Sequence, residues 1–185
     1  INPNFLEGYY NLATVYKKIN RPQEAIIFFK KSLNLDPNHL NSYFNLADCY
    51  KLLGQTDEAI KNYNYYIEKK SDDVEVYNNL GSLYFDLKNY EIAKINFSKA
   101  LSIDMSSIYA NFYTALILAH EEKEFLAINF LRKTIDLDKK FYPAYSKLAE
   151  LYKNVFQYYN AINTLNDFIN LKDRKSTRLN SSHVS

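Results

Sequence analysis

The stretch YYNLATVYKKINRPQEAIIFFKKSLNLDP, residues 9–37, contains the spacing of two short helices. In its first half, Tyr9, Ala13 and Tyr16 lie at i, i+4 and i+7, which places them on one face of a helix. The residues with the same spacing in its second half are Ala25, Phe29 and Ser32. Each half therefore predicts a helix with a single apolar stripe.

Residues that interrupt helices separate the two patterns. Asn20 lies between them, where a left-handed residue is needed, and Pro22 suits the first turn of the second helix. The pair Asp36-Pro37 ends the second helix because proline cannot continue it. The stretch therefore predicts a helical hairpin.

The hairpin pattern returns every 34 residues. One column of small residues contains Ala25, Ala59, Ala93, Ala127 and Ala161. A second small column contains Ala13, Ala47, Gly81, Ala115 and Ala149. One aromatic column contains Tyr9, Tyr43, Tyr77 and Tyr145, with Asn111 as its fourth member, and the other contains Tyr16, Tyr50, Tyr84 and Tyr152, with Leu118 fourth. The five repeats span residues 6–39, 40–73, 74–107, 108–141 and 142–172. In the next repeat, Gly54 holds the place of Asn20.

Composition favours an all-α fold. The 185 residues include only three glycines and four prolines, and 47% are hydrophobic, which is enough for a continuous core. A lone helical hairpin would leave half of its apolar surface in water, so the repeats must stack. We predict a solenoid of antiparallel helix pairs. The small columns should mark where paired helices approach closely.

These residues resemble the tetratricopeptide repeat family, whose 34-residue pattern carries an aromatic residue, Leu, Gly or Ala, and Tyr, followed by Ala, Phe or Tyr, Ala and Pro. The resemblance covers about residues 6–172. It implies a right-handed superhelix whose first helices line a concave groove. The fourth repeat departs most, because Asn111 and Thr114 replace the aromatic residue and the leucine, and Phe112 and Tyr113 are the residues that could compensate.

A column of polar residues should face that groove. With Tyr9, Ala13 and Tyr16 pointing inward, Asn11 lies about 200° round the helix, on the opposite face. The equivalents of Asn11 are Asn45, Asn79, Tyr113 and Lys147. An asparagine amide offers a donor and an acceptor, so a row of them can bind the backbone of an extended peptide. Similar asparagine ladders occur in the repeat region of the O-linked N-acetylglucosamine transferase family, which the YNL and NNL segments resemble. The alternative is that asparagine is only a tolerated polar residue here.

Further groove candidates lie beside the asparagine column. The fifth place of successive repeats holds Tyr10, Phe44, Asn78 and Phe112, and the second place holds Glu7, Asn41, Glu75 and Tyr109. The first three repeats therefore offer a polar, partly acidic groove. In the fourth, an apolar anchor could enter a pocket of Tyr109, Phe112, Tyr113 and Leu116. Alternatively, several of these aromatic residues complete the core of that irregular repeat.

The groove lacks the basic set with which chaperone-binding members of the family hold C-terminal carboxylates. Tyr10 and Phe44 stand where a lysine is needed at the fifth place, and Glu75 stands at a basic second place. We therefore expect no tight binding of EEVD-type tails.

No residue pattern predicts catalysis, a metal site or a cofactor. His39, His120 and His183 are scattered over an inter-repeat turn, a helix end and the polar tail. The single cysteine, Cys49, occupies a place where small residues pack, so we expect a buried thiol. A lone cysteine fits a reducing compartment, and we expect a cytoplasmic protein. No apolar run approaches the roughly 20 residues that a membrane-spanning helix needs.

Both ends of the chain differ from the repeats. Residues 1–5 match the segment that closes a repeat, so we expect them to be the end of a truncated preceding repeat. Residues 173–185 are polar and aperiodic, and we expect a non-native, disordered tail, since residues 173–183 resemble a translated sequencing adapter. The tail contains three of the 23 basic and one of the 21 acidic residues, which leaves 20 of each. This neutral balance gives no electrostatic argument for nucleic acid.

The sequence predicts a protein-interaction scaffold that holds an extended peptide of a partner protein. One alternative is the substrate-recognition region of a larger enzyme, such as a glycosyltransferase of the O-linked N-acetylglucosamine type. A second is an RNA-binding helical repeat, which the neutral charge disfavours. Self-association through uncapped ends is a further expectation.

Overall fold

The computed structural model describes residues 5–181, and it describes side chains for residues 5–171. This part of the chain is all-α, as predicted, and contains ten helices and no strand. The helices are α1 Leu6–Lys18, α2 Pro22–Leu35, α3 Leu40–Leu52, α4 Thr56–Lys69, α5 Val74–Asp86, α6 Tyr90–Ile103, α7 Ile108–His120, α8 Glu124–Leu137, α9 Tyr142–Asn154 and α10 Tyr158–Ser181. Odd-numbered helices are the first helices of the repeats, and even-numbered helices are the second helices.

The chain forms two compact halves, with the boundary after Lys88. In the first half, α1 pairs with α2 and α3 with α4, while α2 packs on α3 and α4 on α5. In the second half, α7 pairs with α8 and α9 with α10, while α6 packs on α7 and α8 on α9. Within each half, hairpins therefore stack in chain order, with each second helix lying against the first helix of the next repeat.

The two small columns form the contacts between helices, as the sequence predicts. Every member of both columns is buried: Ala13, Ala25, Ala47, Ala59, Gly81, Ala93, Ala115, Ala127, Ala149 and Ala161. Large side chains one turn further along the second helices are completely buried as well: Phe29, Tyr63, Phe97 and Leu131. A small residue lets two backbones approach, and the neighbouring large residue fills the space that remains.

One backbone conformation recurs in the turn inside every repeat. The left-handed positions are Asn20 (φ 58°), Gly54 (φ 69°), Lys88 (φ 60°), Glu122 (φ 58°) and Phe156 (φ 59°). The sequence predicts only the first two, because Lys, Glu and Phe do not favour this region. Backbone hydrogen bonds hold the turn with different side chains at the left-handed position. In the first, second, fourth and fifth repeats the next residue donates to a carbonyl five residues back, as from Lys123 N to Leu118 O at 2.9 Å, and in the third repeat Lys88 N donates to Phe85 O at 2.9 Å.

Three loops between repeats use an aspartate at the same place, where the loop after the second repeat has Lys70. Helix α2 ends at Leu35, as the Asp36-Pro37 pair predicts, and Asp36 Oδ1 accepts a hydrogen bond from Asn38 N at 2.9 Å. The same turn forms where Asp104 accepts from Ser106 N and where Asp138 accepts from Lys140 N, both at 2.8 Å. The carboxylate thus satisfies a backbone N–H donor of the turn that follows the helix.

Asn111 adapts the fourth repeat to its missing aromatic residue. Its side chain is fully buried, and Nδ2 donates to Met105 O at 3.1 Å and Ser107 O at 2.7 Å. In the next repeat, Tyr145 donates to Lys139 O at 3.2 Å, which is the equivalent of Met105 O. The amide therefore replaces the tyrosine hydroxyl as the donor that ties the preceding loop to the first helix.

The helix at the end of the chain continues to Ser181, past the end predicted for the fifth repeat. Side chains from residue 172 onward lie outside the described part, as do residues 1–4 and 182–185. Of the expected truncated repeat, residues 1–5, only Phe5 is described. No side chain of the expected adapter-like tail is described, so both expectations stay predictions.

Enlarging a small column should destabilise the fold. Ala59→Leu inserts three carbon atoms into a completely filled contact of α4, so we expect a loss of about 1–3 kcal/mol in the free energy of unfolding. Asn64→Leu on the exposed side of the same helix is the matched control, with an expected change within about 0.5 kcal/mol. Urea unfolding measures both, and equal midpoints for the two variants would contradict the close approach.

Glycine should relieve the left-handed turns that lack it. Glu122 is exposed, so Glu122→Gly removes the strain of its positive φ without removing a core contact, and we expect a gain of about 0.5–1 kcal/mol in unfolding free energy. Gly54→Ala should lower stability by a similar amount. Urea unfolding tests both substitutions, and a destabilising Glu122→Gly would show that the turn tolerates glutamate without cost.

Candidate functional site

The three asparagines of the predicted ladder lie on the first helices α1, α3 and α5 of the first half. Asn11 is exposed, and Asn45 and Asn79 are half-buried. The Asn11 side chain makes no hydrogen bond to the described part of the chain, whereas the other two asparagines each accept one from a lysine. The ladder is therefore reached by solvent, but its members are not equivalent.

Two lysines join consecutive first helices through these asparagines. Lys17 Nζ donates to Asn45 Oδ1 at 2.8 Å, and Lys51 Nζ donates to Asn79 Oδ1 at 2.6 Å. The two lysines are one repeat apart, so the same bond forms twice at the repeat period. We call these pairs the lysine–asparagine rungs. Sequence analysis missed the lysines, although their 34-residue spacing was a signal that could have found them.

The amide of Asn45 is fully used within the protein. Its Nδ2 donates to Asn41 O at 2.8 Å and to the Tyr10 hydroxyl at 3.3 Å, in addition to the bond that its Oδ1 accepts. A guest backbone at this place would therefore meet the Lys17 ammonium group as well as an amide. The rungs add cationic donors to a surface that the sequence predicts to be polar and partly acidic.

Carboxylates lie beside the rungs. Asp48 forms an ion pair with Lys17 and accepts a hydrogen bond from the buried Tyr63 hydroxyl. Burial raises the pKa of Glu75 from its ordinary value, and the nearby Asp48 charge adds to the rise, while Lys17 and Lys51 oppose it. Cationic and anionic groups therefore alternate along the first helices of this half.

The predicted groove residues Tyr10 and Phe44 are packing residues as much as surface residues. Both are half-buried. The Tyr10 ring lies 5.8 Å from that of Phe29, and the Phe44 ring lies 5.7 Å from that of Tyr66, between ring centroids. They form rigid walls beside the rungs and expose only part of their rings.

The second half contains an aromatic cluster at the fourth repeat. Tyr109 is exposed and its edge faces the Phe141 ring at 5.8 Å, while Phe112 contacts the same ring at 5.0 Å. Tyr113 stacks on the buried Phe97 at 5.1 Å with only 5° between the ring planes. The structure thus brings Tyr109 and Phe112 together at the Phe141 ring, and Tyr113 contacts Phe112. Sequence analysis missed Phe141 because it precedes α9 outside the repeat columns. Phe112 also packs on the core of this half.

Lys147, the remaining predicted groove residue, lies half-buried on α9. Its Nζ forms an ion pair with Glu150 at 2.8 Å on the same helix. The fifth repeat therefore places a paired charge where the first repeats carry asparagine.

A histidine and two serines form a hydrogen-bonded row that sequence analysis did not predict. His39 Nδ1 lies 2.7 Å from Ser42 Oγ, which lies 2.6 Å from Ser32 Oγ. Both serines are completely buried, and the Ser32 hydroxyl also bonds the Phe29 carbonyl at 2.7 Å. No substrate can reach these hydroxyl groups, so neither serine can act as a catalytic nucleophile with His39 as its base. The hydrogen bonds of the row connect α2 to α3.

Searches for metal and membrane sites cover the described residues only. Among them, no group of three or more His, Cys, Asp or Glu side chains is placed to hold a metal ion. None of their helices combines the length and apolarity that crossing a bilayer requires.

Comparison with known proteins identifies the repeat. Family models described as tetratricopeptide repeat match residues 6–70 and 74–105, more than half of the chain. The chain belongs to the tetratricopeptide repeat family. The matched residues end before the fourth repeat, where Asn111 and Thr114 replace family residues.

Solved tetratricopeptide repeat structures share the fold over nearly the whole chain. A crystal structure of MamA has a TM-score of 0.81 at 21% identity, covering 89% of this chain and 96% of its own. MamA from Desulfovibrio magneticus RS-1 has a TM-score of 0.83 at 15% identity, covering 92% and 97%. YrrB, described as a tetratricopeptide repeat protein with an unusual peptide-binding site, has a TM-score of 0.72 at 18% identity, covering 95% and 91%. No curated protein sequence matches the chain.

Cys49 should be unreactive in this folded repeat. Burial raises its pKa from an ordinary value of 9.0 to about 11, so its thiolate fraction at pH 8 falls roughly 100-fold. We expect labelling by a disulfide reagent at pH 8 to be slow in buffer and fast in 6 M urea. Because the chain has one cysteine, the signal belongs to this residue alone. Equal rates in the two solutions would contradict the buried thiol.

Proposed function

We propose that the chain is a protein-interaction scaffold that holds an extended segment of a partner polypeptide along its first helices. The observation that carries this proposal is the pair of lysine–asparagine rungs, which repeats with the fold in the first half. Donors and acceptors at a regular interval suit the regular backbone of an extended peptide.

The spacing of the rungs suits such a backbone. Packed helices lie about 8–10 Å apart, and an extended chain rises about 3.3 Å per residue. One rung therefore corresponds to about three peptide residues. A backbone carbonyl of the guest can accept from a lysine at each rung, while side chains between the rungs point elsewhere.

The charges beside the rungs favour a guest of mixed polarity. Lys51 donates to the neutral Asn79 amide and forms no ion pair within 4.0 Å among the described residues, so its ammonium group can also donate to a carboxylate or carbonyl of a guest. Asp48 and Glu75 can accept backbone N–H groups or a basic side chain. In the second half, the exposed Tyr109 ring offers a separate contact for an apolar side chain.

Family membership supports the scaffold, since a stack of helical hairpins offers surface rather than chemistry. The peptide-binding site in the description of YrrB is a property of that protein, and it is consistent with the use of this fold that we propose. The proposal requires no cofactor and assigns no catalytic residue, and it takes a protein or peptide as the partner.

Selection of peptides from a random phage-displayed library, with the chain as bait, tests the proposal. We expect the selected peptides to lose about tenfold or more in affinity for the triple variant Asn11→Ala, Asn45→Ala, Asn79→Ala, because each lost hydrogen bond contributes about 0.5–1.5 kcal/mol.

The matched control replaces three exposed asparagines of second helices: Asn34→Ala, Asn64→Ala and Asn129→Ala. Isothermal titration calorimetry with one selected peptide compares the two triple variants. If the triple variant of Asn11, Asn45 and Asn79 binds the peptide with unchanged affinity, or if the control variant loses as much affinity, the asparagine ladder is not part of the binding site.

A further inference from the structure

Tyr63, in the core of the second repeat, carries a hydroxyl group that packing does not require. The same place in the other four repeats holds Phe29, Phe97, Leu131 and Leu165. Phe29 and Phe97 are 0% exposed, as Tyr63 is, so a phenylalanine ring fills this part of the core equally well. A buried hydroxyl costs free energy unless it forms a hydrogen bond. The reason for the Tyr63 hydroxyl therefore lies in the bond that it makes.

That bond is to Asp48 on the first helix of the same repeat, where the Tyr63 hydroxyl donates to Asp48 Oδ1. Burial raises the pKa of Tyr63 far above its usual range, and the Asp48 charge raises it further, so the hydroxyl keeps its proton and remains a donor. No other repeat combines a tyrosine at this place with a carboxylate at the ninth place. The buried hydroxyl and the carboxylate thus occur as a pair.

Asp48 connects the buried hydroxyl to the first lysine–asparagine rung. Its other oxygen, Oδ2, forms the ion pair with Lys17, whose Nζ also donates to Asn45 Oδ1 at 2.8 Å. The side chains of Lys17 and Asp48 are only 24% and 19% exposed. Because one oxygen of the carboxylate is bonded to a hydroxyl in the core, the carboxylate cannot rotate freely. The place of the Lys17 ammonium group therefore depends on the Tyr63 hydroxyl.

This arrangement leaves one N–H bond of Lys17 for a guest. An ammonium group has three protons, and Asp48 and Asn45 accept two of those of Lys17. The Phe44 ring lies on another side, with its centroid 5.8 Å from Nζ. Since the bonds of the nitrogen are tetrahedral, two fixed N–H directions also fix the third.

We propose that Tyr63 is a positioning residue of the guest-binding surface, which acts through Asp48 to keep Lys17 ready to donate its third N–H to a backbone carbonyl of the guest. In the function proposed above, on which this role depends, guest carbonyls accept from the rung lysines. Tyr63 lies beneath the surface and does not touch the guest. It contributes to affinity because a donor that is already in place need not be ordered when the guest binds.

The second rung lacks this device. Ser82 holds the place of Asp48, and its hydroxyl donates to Asn79 O at 2.9 Å. Lys51 is half-buried like Lys17, but it has no carboxylate within 4.0 Å among the described residues. Lys51 is therefore an internal reference for a rung lysine that no ion pair fixes.

Trace acetylation of the free chain tests the positioning without a guest. Acetic anhydride labels lysines, and tandem mass spectrometry of the digested chain gives the rate at each. Because Lys17 Nζ must leave its acceptors to react, we expect it to be labelled about threefold or more slowly than Lys51 in the wild type. Tyr63→Phe should raise the Lys17 rate about threefold or more and leave the Lys51 rate unchanged.

Tyr66→Phe is the matched control. Tyr66 is also buried on α4, but its hydroxyl donates to Asp73 at 2.8 Å. This variant should label Lys17 at the wild-type rate, and circular dichroism confirms the fold of each protein. The positioning role is wrong if Tyr63→Phe leaves the Lys17 rate unchanged, or if Tyr66→Phe raises it as much.

Isothermal titration calorimetry, with a peptide selected on the chain, measures the consequence for binding. We expect Tyr63→Phe to weaken the peptide about three- to tenfold, and Tyr66→Phe to leave its affinity within about twofold. Asp48→Asn removes the ion pair and keeps Tyr63, so this second variant should also speed the labelling of Lys17 and weaken the peptide.

The outcomes separate this role from the scaffold itself. If a peptide that depends on the asparagine ladder binds Tyr63→Phe as tightly as the wild type, Tyr63 does not serve the guest, and the scaffold proposal stands without it. If no peptide binds the wild-type chain, the proposed function fails, and the role of Tyr63 in binding fails with it.

Discussion

The structure depends on one packing constraint, which is that a helical hairpin with apolar stripes on both helices cannot bury them by itself. Each second helix needs the first helix of the next repeat as its cover, and the small columns set how closely they approach. Ala25 and Phe29 show the two parts of this solution on one helix, since both are completely buried. Because neighbouring repeats bury each other, the far sides of the first helices are left for other uses.

Much of this was predictable from the sequence because it is periodic. The helices, the small columns, the end of α2 at Leu35 and the left-handed turns at Asn20 and Gly54 all follow from local spacing and residue type. The turns at Lys88, Glu122 and Phe156 did not, since there the hydrogen bonds of the turn override the preference of the residue. The left-handed conformation of the turn therefore repeats even where the residue type at that position does not.

The candidate site was less predictable, because its contacts cross between repeats. Helix geometry places Asn45 and Asn79 near solvent, but it does not show that a lysine of the preceding repeat reaches each of them. Phe141 joins the aromatic cluster from a loop, where periodicity gives no information. Asn111 is a different case, because the amide bonds the loop carbonyl that Tyr145 bonds in the next repeat. The replacement of the aromatic residue by Asn111, which departs from the repeat pattern, therefore keeps the hydrogen bond between the first helix and the preceding loop.

In the proposed binding site, stability and binding depend on the same lysine–asparagine rungs. A hydrogen bond of this kind contributes only about 0.5–1.5 kcal/mol net, because both groups can bond water when it opens. Lys17 also forms an ion pair with Asp48, which stabilises the first rung. Lys51 donates only to the neutral amide of Asn79. Opening the second rung therefore costs less than opening the first. A guest polypeptide should engage the surface first beside Lys51 and Asn79, where the protein gives up least of its own bonding to receive it.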